Sequence, residues 1–261
     1  KIIDTSTIID TENGRWKIYK HWVKDTKRGG HGKISMSKAF EVSSNVAFAK
    51  MINNGYKNDP EKYVNRLMSM GVHKELGLPV VGEGKPVLRY PGDKGWSGLS
   101  LAQMAYGYEV SMTPLQTLAF YNAIANDGEM VKPRLLKEVK EWNKSIEKFD
   151  KKVLNPAICS QSTVKKVQQI LKNVVEKDHG TGHGMYSKNF SMAGKTGTTQ
   201  TNYVSKDKSK YEYISSFAGY FPADDPKYSC IVVIHKPDKS VGYYGADVSG
   251  PVFKSVAQKV Y

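Results

Sequence analysis

Cysteine is scarce: Cys159 and Cys230 are the two in 261 residues. No Cys-x-x-Cys and no Cys/His cluster accompanies them, so neither a zinc site nor a disulfide scaffold is indicated, and no metal or cofactor is expected. Cys230 sits in an apolar run and reads as a small core residue. Nothing requires the two to pair, and the redox compartment stays open. Long apolar runs are also missing. The richest, Ile231–Ile234, is strand-sized, far short of the ~18 residues a spanning helix needs. Acidic residues are in deficit: Lys plus Arg is 39 against 25 for Asp plus Glu, a net charge of +14. That balance favours an anionic partner such as nucleic acid, an acidic membrane surface or an anionic polymer. The positive charges are dispersed, however, with one crowding at Lys206, Lys208 and Lys210. Neither zinc-finger spacing nor an RNA-binding aromatic signature goes with them, so a solvated Lys-rich surface is the reading and nucleic acid is not an expected partner. Internal repeats and low-complexity segments are absent too. The chain starts at Lys1, with no initiator methionine or signal peptide, and is read as a piece of something longer.

What is present is a globular composition, 39% hydrophobic and 25% charged. A chain of this length buries roughly 70–75% of its unfolded surface and needs no staple. Residues 1–160 read as mainly helical. Asp59-Pro60 opens one helix, and Thr113-Pro114-Leu115-Gln116 opens another with a capping box that stops at Asn126-Asp127-Gly128. Residues 77–98, rich in glycine and proline, read as loop. In 161–261, Val164, Val167, Leu171, Val174 and Val175 form one apolar helical face. Strand-like runs follow at about 190–199, 213–221 and 228–235, the last two joined as antiparallel neighbours. Valines at 248, 252, 256 and 260 predict a closing helix packed on the sheet through that stripe. This order is α+β, read as a single domain over 1–261.

Gly194-Lys195-Thr196-Gly197-Thr198-Thr199 is the sharpest motif. A phosphate-binding loop needs glycine five residues before Gly194, where Asn189 stands, and it opens a helix, whereas polar strand-like sequence follows here. On a strand, Lys195 and Gly197 share a face, and the strand edge suits an extended peptide with a carboxylate end. Ser43-Ser44-Asn45 lies between helical runs at 36–42 and 46–53. Taken alone, it reads as a helix cap. Six histidines, among them His31, His179 and His183, leave a Ser-His-Asp triad conceivable, but no Gly-x-Ser-x-Gly elbow is present.

Ser-x-Asn followed far downstream by Lys-Thr-Gly resembles the penicillin-binding proteins and serine β-lactamases. Further blocks are similar to the transpeptidase domain of division-type class B penicillin-binding proteins: Ala39 to Met51, Gly107 to Gln116, Ala123 to Gly128, Ala193 to Thr198 and Gly250 to Phe253. The resemblance runs from about Thr7 to the C-terminus. It implies an antiparallel sheet flanked by helices, plus an all-helical half. The family's nucleophile lies in Ser-x-x-Lys, several dozen residues before Ser-x-Asn. Ser35-Met36-Ser37-Lys38 is too close to Ser43, and Ser205-Lys206-Asp207-Lys208 comes after it. The residues around Ser35 match the helix leading into Ser-x-Asn, so the nucleophile is expected upstream of Lys1. Ser35 is then a helix cap and Ser205 part of an exposed Lys-rich loop. Without the nucleophile's helix, Val46, Phe48, Met51, Leu118 and Ile124 are expected to leave an exposed apolar patch.

By this resemblance Ser43 relays a proton between the base lysine of Ser-x-x-Lys and the leaving amine. Asn45 holds that lysine and the substrate amide, and Lys195 attracts the carboxylate of a D-Ala terminus or a β-lactam. Thr196, Gly197 and Thr198 line the substrate, the Thr198 N–H forming half of an oxyanion hole. The implied protein is a peptidoglycan D,D-transpeptidase at the outer face of the cytoplasmic membrane, working with a glycosyltransferase and division proteins and inhibited by β-lactams. A β-lactamase or carboxypeptidase of the same fold, or a non-catalytic penicillin-binding sensor module, remains the alternative.

Overall fold

The computed structural model describes residues 3–201, 207 and 210–261. The Ser205 expectation falls outside them, as do Lys206 and Lys208. The chain opens with β1 (Ile8–Asp10), the hairpin β2 (Arg15–Ile18) to β3 (His21–Lys24), and β4 (Lys33–Ser35), which returns antiparallel to β1. Then come α1 (Met36–Glu41), α2 (Asn45–Tyr56) and α3 (Pro60–Ser69). Ser35 caps α1, its Oγ accepting from the Lys38 N–H at 3.2 Å, and Asp59 caps α3 with Pro60 in the first turn. β5 (Val87–Leu88), α4 (Ser100–Ala105) and β6 (Val110–Ser111) lead to α5 (Pro114–Ala125). The α5 capping box is complete: Thr113 Oγ1 accepts from Gln116 N at 3.2 Å, and Gln116 Oε1 accepts from Thr113 N at 2.8 Å. Past α5, Asp127 and Gly128 take φ of 50° and 95°, left-handed values that end the helix.

β7 (Met130–Val131), the hairpin β8 (Glu138–Glu141) to β9 (Lys144–Lys148), and β10 (Val153–Asn155) complete the first half. The expected all-helical half is therefore corrected. Ten short strands accompany its five helices among the described residues, paired two by two. None exceeds five residues, too short for alternation to show in sequence. The expected exposed patch is corrected too: Val46, Met51 and Ile124 are buried, while Phe48 and Leu118 are half-buried.

The second half begins with α6 (Gln161–Glu176), capped by Ser160. β11 (Ala193–Thr201), β12 (Glu212–Phe221) and β13 (Tyr228–His235) form an antiparallel sheet in that order, and α7 (Gly245–Val260) closes the chain. Alternate residues of β12 face opposite ways. Tyr220 packs with Ala193, Leu171 and Ile124 beneath α5 and α6. Phe217 and Phe221 pack with Met185, Met192 and Phe253 beneath α7. The sheet is thus a middle layer between two helical ones.

α7 does not use the valine stripe. Val252, Val256 and Val260 are 45%, 37% and 49% exposed, whereas Gly245, Ser249, Phe253 and Ala257 are buried. The buried stripe is offset by one residue, about 100° around the helix. Small residues win there because the helix start lies against the sheet backbone: a Cβ on Gly245 would meet the Ser216 carbonyl and lie 2.6 Å from the Gly197 carbonyl oxygen. No helix of the described residues is long and apolar enough to cross a membrane.

Candidate active site

Ser43 and Ser44 have separate tasks. α1 ends at Val42, and Ser43 turns the chain with a left-handed φ of 57°. Ser44 caps α2, its Oγ accepting from Ala47 N at 3.1 Å and donating to Asp25 Oδ2 at 2.9 Å. Asp25 Oδ1 also accepts from Val46 N at 2.9 Å. Because Ser44 and Asp25 satisfy the helix end, the Ser43 hydroxyl is free for another partner. That partner is Lys195, whose Nζ donates to Ser43 Oγ at 2.6 Å. Asn45 is the first residue of α2, and its Nδ2 donates to the Lys24 carbonyl at 3.0 Å. The fold therefore joins Ser43 to Lys195 directly and holds the Asn45 amide on the β3 side of the same turn.

Lys195 lies on β11 opposite Ala218, and Lys195 to Thr198 form strand, not a phosphate-cradling loop. Its Nζ also donates to the Thr196 carbonyl at 3.2 Å and to Thr196 Oγ1 at 3.3 Å, and lies 5.9 Å from the Phe40 ring centroid. Burial lowers its pKa to about 8, so its proton is held loosely near neutral pH. An ammonium sharing a short bond with a hydroxyl at such a pKa can pass a proton through that hydroxyl.

β11 is an edge of the sheet among the described residues, and an edge strand offers outward N–H and C=O groups to an extended peptide. Thr196 Oγ1 donates to Thr181 Oγ1 at 3.1 Å, and Thr198 Oγ1 accepts from Gly245 N at 3.0 Å. Both hydroxyls thus brace the strand. Gly197 faces Ser216, and a Cβ there would lie 2.5 Å from Ser216 Oγ.

Two groups at this site are not evident from the sequence motifs. Glu41 is 5% exposed. Its Oε1 accepts from Ser37 Oγ at 2.9 Å and Asn173 Nδ2 at 2.9 Å, and its Oε2 lies 2.6 Å from His179 Nε2. Burial alone would raise the Glu41 pKa, but the bonds from His179, Asn173 and Ser37 outweigh it and hold the carboxyl below its ordinary value. With His179 on Glu41 and Ser43 on Lys195, these residues assemble no Ser-His-Asp triad. At the far end of β11, Tyr213 stacks on Tyr243 with centroids 4.2 Å apart, and Tyr243 contacts Tyr244 at 4.5 Å. Ser215 Oγ, donating to the Tyr243 carbonyl at 2.5 Å, fixes this wall beside the strand. The adjacent Tyr243-Tyr244 pair just before α7 was the available signal; nothing in the sequence singled out Glu41.

Behind the site lies an apolar cleft of about 1330 Å³, walled by Met51 of α2, Phe120 and Ile124 of α5, and Val164 and Val167 of α6. Ser43 and Lys195 do not line it. Phe40, the residue under Lys195, packs on the cluster that includes Ile124 and Ile158, both of which do.

A sheet between helical layers, with a Ser-x-Asn turn bonded to the lysine of an edge-strand Lys-Thr-Gly, defines the penicillin-binding and β-lactamase-like α+β class. The comparisons with known proteins agree. Residues 1–258 match the model of the penicillin-binding protein transpeptidase domain, and the chain belongs to that family. It is 29% identical over 233 residues to stage V sporulation protein D of Bacillus subtilis, covering 88% of this chain and 34% of the relative. It is 28% identical over 246 residues to the peptidoglycan D,D-transpeptidase FtsI of Escherichia coli, covering 92% and 37%. Among solved structures, the apo transpeptidase domain of Burkholderia pseudomallei penicillin-binding protein 3 aligns with TM-score 0.80 and 25% identity, covering 99% of this chain and 72% of that one. Mycobacterium tuberculosis penicillin-binding protein 3 complexed with aztreonam aligns with TM-score 0.78 and 28% identity, covering 99% and 57%. The chain spans about a third to two-fifths of the length of these curated relatives.

Proposed function

We propose that this domain cross-links peptidoglycan stem peptides as a serine-type D,D-transpeptidase and that β-lactams acylate the protein carrying it. The observation that carries the reading is the 2.6 Å bond from Lys195 Nζ to Ser43 Oγ beside an edge strand. A D-Ala-D-Ala end is an extended peptide closing in a carboxylate. It adds along β11 by backbone hydrogen bonds, with its carboxylate drawn to Lys195 and to Thr196 and Thr198. The nucleophile is the serine of a Ser-x-x-Lys helix upstream of Lys1. Its Oγ attacks the carbonyl of the penultimate D-Ala, the peptide C–N bond breaks, and the terminal D-Ala leaves as the amine. An acceptor amine then attacks the ester and frees the serine. Ser43, bonded to a lysine whose pKa is about 8, passes the proton between that helix's lysine and the amine. Asn45 serves the same lysine and the substrate amide. The Thr198 N–H and the nucleophile's own N–H hold the oxyanion, each worth roughly 3–4 kcal/mol in comparable sites.

The apolar cleft between α2, α5 and α6 supports a seat for the nucleophile's helix. The name of the Escherichia coli relative, a peptidoglycan D,D-transpeptidase, supports the substrate class; an extracytoplasmic site of action, with a glycosyltransferase and division proteins as partners of the whole protein, is what the family resemblance implies. The test is labelling with a fluorescent penicillin. The longer gene product carrying Ser-x-x-Lys is expected to take one label that survives denaturing gel electrophoresis, and the 261-residue chain none. Labelling of the shorter chain on Ser35 or Ser205 would overturn the assignment of the nucleophile, and no labelling of either form would overturn the activity.

A further inference from the structure

We propose that Glu41, locked to His179, is a positioning residue that holds the Ser43–Lys195 contact. The inference rests on the acyl-transfer reading above and names a part of its machinery. The contacts close a ring. The Glu41 carbonyl accepts from Thr181 N at 3.0 Å. Thr181 Oγ1 accepts from Thr196 Oγ1 at 3.1 Å, Thr196 adjoins Lys195, and Lys195 Nζ donates to Ser43 Oγ at 2.6 Å. Ser43 lies two residues beyond Glu41, past the end of α1. One residue thus fixes both sides of the contact: the turn that carries Ser43 and the loop that seats Thr181 on β11.

The side chain supplies the grip. Its two oxygens take bonds from α1 itself (Ser37), from α6 (Asn173) and from the loop after α6 (His179). A carboxylate can accept all three at once, whereas an apolar side chain would leave three donors without their partner. In a well-packed site a supporting group of this kind sets the geometry to within a fraction of an ångström. A 1 Å misplacement costs on the order of 10²-fold in rate. Glu41 touches neither nucleophile nor substrate in this scheme, so its effect is on positioning alone.

Single-turnover acylation of the longer gene product with a fluorescent penicillin tests this, because amplitude and rate separate. The amplitude reports how much protein is folded, and the limiting rate constant reports how well the site is aligned. Glu41→Ala is expected to slow the rate constant about 10²-fold, and His179→Ala about tenfold. Glu41→Gln and His179→Gln keep a hydrogen bond across the pair and are expected within about threefold of the unsubstituted protein. Should Glu41→Ala fail to fold, His179→Ala at a side chain 38% exposed gives the same readout. A lower amplitude with an unchanged rate constant would make Glu41 merely structural and overturn the proposal, as would equal slowing by Ala and Gln. Failure of the unsubstituted protein to label at all overturns the acyl-transfer reading, and the positioning role with it.

Discussion

Lys195 Nζ and Ser43 Oγ are 2.6 Å apart across 152 residues of chain. The bond ties the turn between α1 and α2 to the edge strand of the sheet, and so joins the helical layer to the sheet at one point. It also places an amine where burial disfavours its charge, and its partners are hydroxyls, a carbonyl and the Phe40 ring. Such an arrangement can hand on a proton, and it holds the amine at some cost in stability.

The two serines of the turn separate experimentally. Ser44 and Asp25 hold the start of α2, so Ser44→Ala is expected to cost about 1 kcal/mol in chemical denaturation. Ser43 has φ of 57°, where glycine carries no Cβ penalty. Ser43→Gly relieves that penalty but removes the acceptor of the Lys195 bond, so stability is expected to fall by about 1 kcal/mol or less, while penicillin acylation of the longer gene product falls at least about 10²-fold. A Ser43→Gly protein that labels at the normal rate would remove Ser43 from the mechanism.

Lys195→Met should exchange function for stability. Burial lowers the folded-state pKa of Lys195 to about 8 from an ordinary 10.5. Between those values the unfolded chain binds more protons than the folded one, so stability rises with pH across that window. Below about pH 8 the charged amine is held at a cost that a methionine lacks. Thermal melts at pH 7 are expected to show Lys195→Met a few degrees higher than the parent. The gap should close by pH 10 to 11, and acylation should be lost. An equal gap at both pH values would mean that packing, not the charge, causes the difference.

What could be read in the sequence was either local or carried by motif order. α5 was legible because Thr113, Pro114 and Gln116 satisfy its first turn within four residues. The strands Glu212–Phe221 and Tyr228–His235 were legible because each is a long run bounded by turn residues. The joining of Ser43 to Lys195 has no local signal, and only the resemblance gave them roles on one substrate. The pairing of Glu41 with Asn173 and His179 joins three elements through polar side chains, and neither periodicity nor capping rules address such a contact. The hairpin β8–β9 stayed hidden because all of β9 and most of β8 are exposed, so no apolar alternation marks them.

The tyrosine wall should govern binding more than rate. Tyr243 stacks on Tyr213 and is fixed by the Ser215 bond to its carbonyl, so it presents a rigid aromatic face beside β11. Tyr243→Ala is expected to raise the penicillin concentration giving half-maximal acylation rate about tenfold, since aromatic contacts are worth ~0.5–1.5 kcal/mol beyond burial. The limiting rate should change less than about twofold. Single-turnover kinetics over a range of penicillin concentrations gives both numbers. A change confined to the limiting rate would place the tyrosine at the reacting centre instead.

The phase of α7 gives the last prediction, and it runs against the hydrophobicity of the residues involved. Val252, Val256 and Val260 form the apolar stripe that the sequence shows first, yet they face outward. Phe253 is fully buried, with its ring 4.7 Å from Phe217 and 5.7 Å from Phe221. Removing it opens a cavity under the whole helix, and Phe253→Ala is expected to cost about 3–5 kcal/mol. Val252→Thr and Val256→Thr exchange exposed atoms for others of similar shape, so each should stay within about 0.5 kcal/mol of the parent. The valines' packing on the sheet is excluded by sterics, because turning the helix by one residue would drive side chains into the backbone that Gly245 now lies against. Gly245→Ala, which adds one methyl at that contact, is accordingly expected to destabilise more than both valine substitutions together. Urea denaturation of the four variants decides the matter. A large loss from the valine substitutions and a small one from Phe253→Ala would mean that the helix packs in the other phase.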